Sequence, residues 1–187
     1  MRVFPVAIRS LVRTCRPLWS VKARGPSCGI FISYRRADAG PYARLLQVEL
    51  AERFPEARVF MDVDSIEAGL DFAEVIRDAV SSCRVMVVVI GQQWVTLTDE
   101  EGGRRLDDPG DYVRLEVRTA LRRGVRVIPV LVDGARPVRQ QQLPQDLRKL
   151  ARLNALEVSC ERYRYDADRL AGLVGRALAA PRGEGKR

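Results

Sequence analysis

The chain contains no histidine. That absence removes the usual Ser-His and Cys-His nucleophile pairs and the commonest metal ligand. Cysteine is sparse: Cys15, Cys28, Cys83 and Cys160 are scattered and form no CxxC pair. No metal site is expected, and free cysteines fit a reducing compartment, hence a cytoplasmic location. No apolar run approaches the roughly 20 residues of a membrane helix. The longest, Val85–Ile90, has the length of a strand, so no membrane partner is expected. Acid is missing from the first 37 residues, which hold eight Arg and Lys, while the remaining 24 bases equal the 24 acids. The basic excess therefore belongs to the N-terminal segment and not to the folded body. A nucleic-acid partner, which needs a basic stripe on the domain itself, is not expected.

Of the 187 residues, 47% are hydrophobic and 30% charged, the balance of one globular domain with short extensions. Residues 1–27 are basic, contain Pro5, Pro17 and Pro26 and lack the apolar core of a secretory signal. They are expected to be a disordered leader or upstream-extended sequence, although their composition also resembles a mitochondrial presequence. The domain should occupy 28–180, with 181–187 a flexible tail.

Within the domain, strand and helix patterns alternate. Gly29–Tyr34 reads as a buried strand. Asp38–Phe54 reads as a helix with Tyr42, Leu45, Leu46, Glu49 and Leu50 on its core stripe. Arg58–Asp62 is a short strand, Val63–Leu70 a polar loop pivoting on Gly69, and Asp71 the cap of a helix through Ser82. Arg84–Ile90, the most β-branched run, should be the central strand. Thr98–Gly110 reads as a flexible charged connection to a helix over Asp111–Leu121, ended by Gly124. Val125–Val132 is a strand in which Pro129 predicts a bulge or a lost bond. Pro144–Leu153 is a short helix, Ala155–Ser159 a last strand, and Asp166–Ala180 a final helix.

This alternation predicts an α/β fold: a five-stranded parallel sheet of flavodoxin-like order 2-1-3-4-5, with helices on both faces. In that order the chain reverses direction between strands one and three, and ligands bind outside the strands' C-terminal ends at the reversal. Strand one ends at Tyr34, Arg35 and Arg36. The segment after strand three leads to the helix carrying Tyr112 and Glu116. On that helix Val113, Val117, Ala120 and Leu121 form an apolar stripe, with Tyr112 and Glu116 one above the other at its edge. No cation of the same helix stands three or four positions from Glu116.

Common uses of this architecture can be tested against motifs. No GxxxxGK[ST] phosphate loop exists, and the first strand is followed by YRRADAG and not GxGxxG. A phospho-acceptor domain would want a lysine near the sheet's end, but the only lysine of the body, Lys149, lies in the Pro144–Leu153 segment.

Four boxes carry a resemblance to a known family. FISYRRAD (Phe31–Asp38), VFMDVDSIEAGLDF (Val59–Phe72), VVVIGQQW (Val87–Trp94) and DYVRLEVRTAL (Asp111–Leu121) resemble, in order and spacing, the Toll/interleukin-1 receptor (TIR) domain, and the compact form is similar to its bacterial-type members. The resemblance implies one of two functions. Some TIR domains are scaffolds that self-associate through the loop after strand two, here Asp64, Ser65, Ile66 and Gly69. Others are NAD+ glycohydrolases or cyclases acting in defence or stress signalling. These use a glutamate of the helix after strand three, four residues beyond an aromatic that is usually Trp. The matching positions are Glu116 and Tyr112, so a Tyr stands where the family prefers Trp.

The resemblance makes NAD+ the substrate, with no cofactor, and makes self-association or other TIR domains the protein partners. Tyr34, Arg35 and Arg36 would stack on the substrate and contact its phosphates, and Glu67 would close over the site. Each residue also has a structural alternative. Glu116 would solvate a helix face or pair with a distant Arg, and Tyr112 would pack. Arg35 and Arg36 would be surface charges or partners of Asp62 or Asp64. Glu67 would belong to an assembly surface and Trp94 would plug the core.

Overall fold

A computed structural model describes residues 29–61 and 71–180, with the Phe72 side chain left aside. The elements in order are β1 (Gly29–Tyr34), α1 (Arg36–Arg53), β2 (Arg58–Met61), α2 (Phe72–Ser82), β3 (Cys83–Ile90), α3 (Tyr112–Arg123), β4 (Arg126–Val132), β5 (Leu156–Val158) and α4 (Tyr163–Ala179). All five strands are parallel, in the order β2-β1-β3-β4-β5. The expected topology is therefore the observed one, and the reversal lies between β1 and β3.

Alternation along β1 and β3 divides the core in two. Phe31, Met86, Val88 and Ile90 face α2 and α3, meeting Ile76, Val80, Val113 and Val117. Ile30, Ile32, Val85, Val87 and Val89 face α1 and α4, meeting Leu46, Leu50, Leu170 and Val174. Because both faces are covered, β3 reads as a nearly unbroken apolar run. Each fully buried Val or Ile contributes about 1.5–3 kcal/mol relative to exposure, so the central strand is a major source of stability.

Helix ends follow the residues. Asp71 caps α2 by accepting from the Ala73 N–H, and Asp111 caps α3 by accepting from the Arg114 N–H. Gly124 ends α3 in the left-handed conformation at φ 68°, which glycine adopts without a Cβ penalty.

Several expectations are corrected. Helix α1 starts two residues earlier and buries Ala39, Gly40, Ala43, Leu46 and Leu50, while Leu45 faces solvent. Of the expected stripe, Leu46 and Leu50 face the sheet, joined there by Ala39 and Ala43, while Tyr42 and Glu49 are only partly buried. Thr98–Gly110 is ordered: Thr98 bridges Arg104, residues Arg105–Asp107 form a 3₁₀ turn, and Leu106 is fully buried. Pro144–Leu153 is two 3₁₀ turns and not one helix. Pro129 makes no bulge; β3 and β4 pair through it in continuous register, opposite Val88. Among the described residues no helix is long and apolar enough to cross a membrane.

Candidate active site

Three segments meet at the C-terminal end of β1: the strand itself, the turn after β3 and the start of α3. Arg35 ties them together. Its Nη1 and Nη2 donate to Asp111 Oδ2 and Oδ1, both at 3.0 Å, and its Nε donates to the Trp94 carbonyl at 3.0 Å. The guanidinium lies 5.9 Å from the centre of the Trp94 ring. Arg35, Asp111 and Trp94 are all buried. A two-pronged Arg–carboxylate contact fixes direction as well as distance. Asp111 has further support, since it caps α3 and receives Arg105 Nε at 3.3 Å. An anion at a helix N-terminus is also favoured by the aligned peptide dipoles. A second tie joins α1 to the same edge: the Asp38 carboxylate accepts the N–H groups of Gly91 at 3.0 Å and Gln93 at 2.8 Å.

Glu116 lies on this frame. It is only 4% exposed and stands with Val113, Val117 and Ala120 on the buried face of α3, so it is within the apolar stripe and not at its edge. Its Oε2 accepts the Ser33 hydroxyl at 2.6 Å. Ser33, next to last in β1, is 1% exposed. Tyr112, one turn before Glu116, is 44% exposed. It borders an open cavity of about 760 Å³ shared with Thr98, Asp99, Glu100, Arg105, Asp108, Gly110 and Asp111. That wall holds four acids against one arginine, which suits a phosphate-bearing ligand poorly. Glu116 does not line that cavity, and only 4% of it is exposed.

The structure brings together some of the residues named from sequence and separates others. Tyr34 is buried on the opposite face of β1 from Glu116, in the α1 core and beside Gly40, because adjacent strand residues alternate. Arg35 does reach the site, but as the partner of Asp111, so its fork is engaged by protein and not presented to phosphate. Arg36 is exposed at the first position of α1. Glu67, Asp64, Ser65, Ile66 and Gly69 lie outside the described residues, as do the leader and the tail. Trp94 is fully buried, in the core role. Ser33, Asp38 and Asp111 went unnoticed in the sequence. For Ser33 a signal existed: a hydroxyl in a strand buried on both faces needs a hydrogen-bond partner. Among the described residues no group of three or more His, Cys, Asp or Glu could hold a metal.

Comparison with known proteins agrees with this architecture. The family model described as TIR domain matches residues 30–173, and the chain belongs to the TIR domain family. It is 28% identical over 131 residues to the NAD(+) hydrolase tir-1 of Caenorhabditis elegans, covering 68% of this chain and 12% of that protein. It is 30% identical over 129 residues to the NAD(+) hydrolase sarm1 of Drosophila melanogaster, covering 68% of this chain and 9% of that protein. The chain thus spans a small fraction of these relatives' length. Among solved structures, the TIR domains of the activated Roq1 resistosome match with a TM-score of 0.55 at 15% identity, over 80% of this chain and 98% of that one. At that identity the likeness carries the fold alone.

Proposed function

We propose that this chain is an NAD+-consuming enzyme that breaks the bond between ribose and nicotinamide, with Glu116 as its essential carboxylate. One observation carries the reading: a glutamate 4% exposed on an otherwise apolar helix face, bonded to Ser33 at the sheet's switch point. Burying a carboxylate is costly and asks for a reason. The relatives named as NAD(+) hydrolases support the same chemistry.

The reaction suits a site without histidine. The pyridinium nitrogen of NAD+ is already cationic, so the glycosidic electron pair leaves with it and nicotinamide departs neutral. No acid is needed to protonate the leaving group, unlike an ordinary glycoside. The ribose carbon becomes oxocarbenium-like, and water adds there with loss of a proton to give ADP-ribose. Attack by a nitrogen of the same molecule's adenine in place of water gives a cyclic product. A fixed anion in a site shielded from water stabilises the developing cation far better than it would in solution. In this reading Tyr112 stacks on a ring of the substrate, the pyrophosphate lies away from the acidic wall and against Arg36, and Arg35 acts through Asp111. The reading includes a bacterial-type, cytoplasmic protein in defence or stress signalling that works through self-association or other TIR domains.

The test is nicotinamide release from NAD+ by the pure full chain, assayed both dilute and concentrated on beads, beside Glu116→Ala. Release by the wild type and its loss in the variant is the expected result. Equal release by both overturns the site. Assembly or partner capture with NAD+ left intact at every concentration favours the scaffold function.

A further inference from the structure

We infer that Ser33 is a positioning residue for Glu116, holding its carboxylate as an oriented anion for the reaction; the inference rests on the proposed NAD+ chemistry. Residues 33 and 116 are 83 positions apart, yet the Ser33 hydroxyl donates to Oε2 at 2.6 Å, at the short end of O–H···O hydrogen bonds. Both side chains are at least 96% buried, so water competes little for either end and the bond is stronger than it would be at the surface.

The geometry distinguishes this contact from general packing. Ser33 pairs with Val88 in a strand whose other side chains on that face are apolar. An alanine there would serve the core equally well. A hydroxyl supplies what an alanine does not: a donor that restricts rotation of the Glu116 carboxylate. Two residues on, on the same side of the chain, Arg35 fixes Asp111 at the start of α3. The helix and the carboxylate are thus registered against β1 by two separate bonds, one at the helix terminus and one at the functional group. Ser33 does not touch the reacting atoms in this scheme; it acts through Glu116.

The experiment compares full-length wild type, Ser33→Ala, Ser33→Cys and Glu116→Ala. Removing a hydrogen bond to a charged group costs roughly 10–150-fold. The loss is expected in kcat, with KM for NAD+ within about twofold, because a transition-state interaction is removed and not uniform binding. Cysteine, nearly the same size but a weaker donor, should fall between serine and alanine. The ¹³C signal of the Glu116 side-chain carboxylate, assigned by its loss in Glu116→Gln, should move in Ser33→Ala. That readout needs no turnover and is followed in Ser33→Cys should alanine prevent folding. An unchanged kcat in folded Ser33→Ala beside an inactive Glu116→Ala overturns this inference and leaves the proposed function intact. An unmoved carboxylate signal overturns it too. A wild type without turnover at any concentration overturns the proposed function, and with it the part given to Ser33.

Discussion

Arg35 and Asp111, 76 positions apart, form a buried two-pronged ion pair that joins the end of β1 to the first turn of α3. It is the hinge between the fold and the candidate site, because Glu116 lies on the helix that Asp111 begins.

Cutting that pair from one side should be costly. Truncating one partner leaves a buried charge uncompensated, which typically destabilises by about 3–5 kcal/mol. Arg35→Ala and Asp111→Ala should each lower the unfolding free energy by that order, seen as a lower urea midpoint, and NAD+ turnover should fall with stability. Asp111→Ala should be at least as harmful, since it also removes the α3 cap. Replacing both by apolar residues of similar volume should recover much of the stability. If Arg35 were a phosphate contact instead, Arg35→Ala would raise KM and leave the urea midpoint unchanged. The two outcomes are separated by one denaturation curve.

Gly91 and Asp38 give an independent prediction at the same edge. A Cβ built on Gly91 would stand 2.5 Å from Asp38 Oδ1, closer than atoms can approach. Gly91→Ala should therefore push the Asp38 carboxylate away from the N–H groups it accepts, at a cost of about 1–3 kcal/mol. Asp38→Ala should cost a comparable amount by leaving two backbone donors without their acceptor. The double variant should lose less than the sum, because the clash disappears with the carboxylate. Additive losses in a chemical-denaturation cycle would show that the two residues are not coupled.

The frame was legible in the sequence for physical reasons. Runs such as Val85–Ile90 and caps such as Asp71 and Gly124 are local signals, and the strand order followed from βαβ alternation. Glu116 stood out as a carboxylate with no cation three or four positions away on its helix. Its contacts did not stand out, because Ser33 and Asp111 lie 83 and 76 positions from their partners Glu116 and Arg35. A strand buried on both faces shows no polar alternation, so the sequence did not reveal that Ser33 and not Tyr34 faces α3. Thr98–Gly110 looked flexible because charge and glycine dominate its composition. Its order depends on single contacts: Leu106 in the core and Arg114 donating to the Leu106 and Asp107 carbonyls.

The two described cysteines should respond differently to alkali and to reagents. Cys83 is buried, and burial pushes its thiol from an ordinary 9.0 up to about 12, against the opposing effects of Ser82 and Arg58. Above pH 9 the unfolded chain gives up this proton while the folded chain keeps it. The contribution of Cys83 to stability is thus complete below pH 9 and declines as pH rises toward 12. Between about pH 8 and about pH 10.5 the loss should be about 2 kcal/mol. Cys83→Ala should flatten that part of the pH dependence, which separates it from Tyr42, also raised to about 12 by its contact with Cys160 and by burial. A soluble thiol reagent should label exposed Cys160 well before Cys83. An unchanged slope in Cys83→Ala would refute the assignment.

Tyr112 offers the sharpest separation of binding from folding. Its ring is 44% exposed at the first position of α3, so Tyr112→Ala should change stability by no more than about 0.5 kcal/mol, as is usual for surface positions. The same truncation would remove a stacking face. Stacking of a base on an aromatic side chain is worth about 1–3 kcal/mol by alanine substitution, so KM for NAD+ should rise roughly 5–150-fold. Tyr112→Phe keeps the face and drops the hydroxyl; it should retain near wild-type KM if stacking is what matters. Tyr112→Trp enlarges the face and should lower KM or leave it unchanged. The decisive pair is alanine against phenylalanine, measured as KM and kcat on folded protein. If both variants lose turnover equally, the hydroxyl carries the effect and the ring is not a platform. If neither changes KM, the substrate does not pass over this residue, and the site must be sought deeper along α3 beside Glu116 and Ser33.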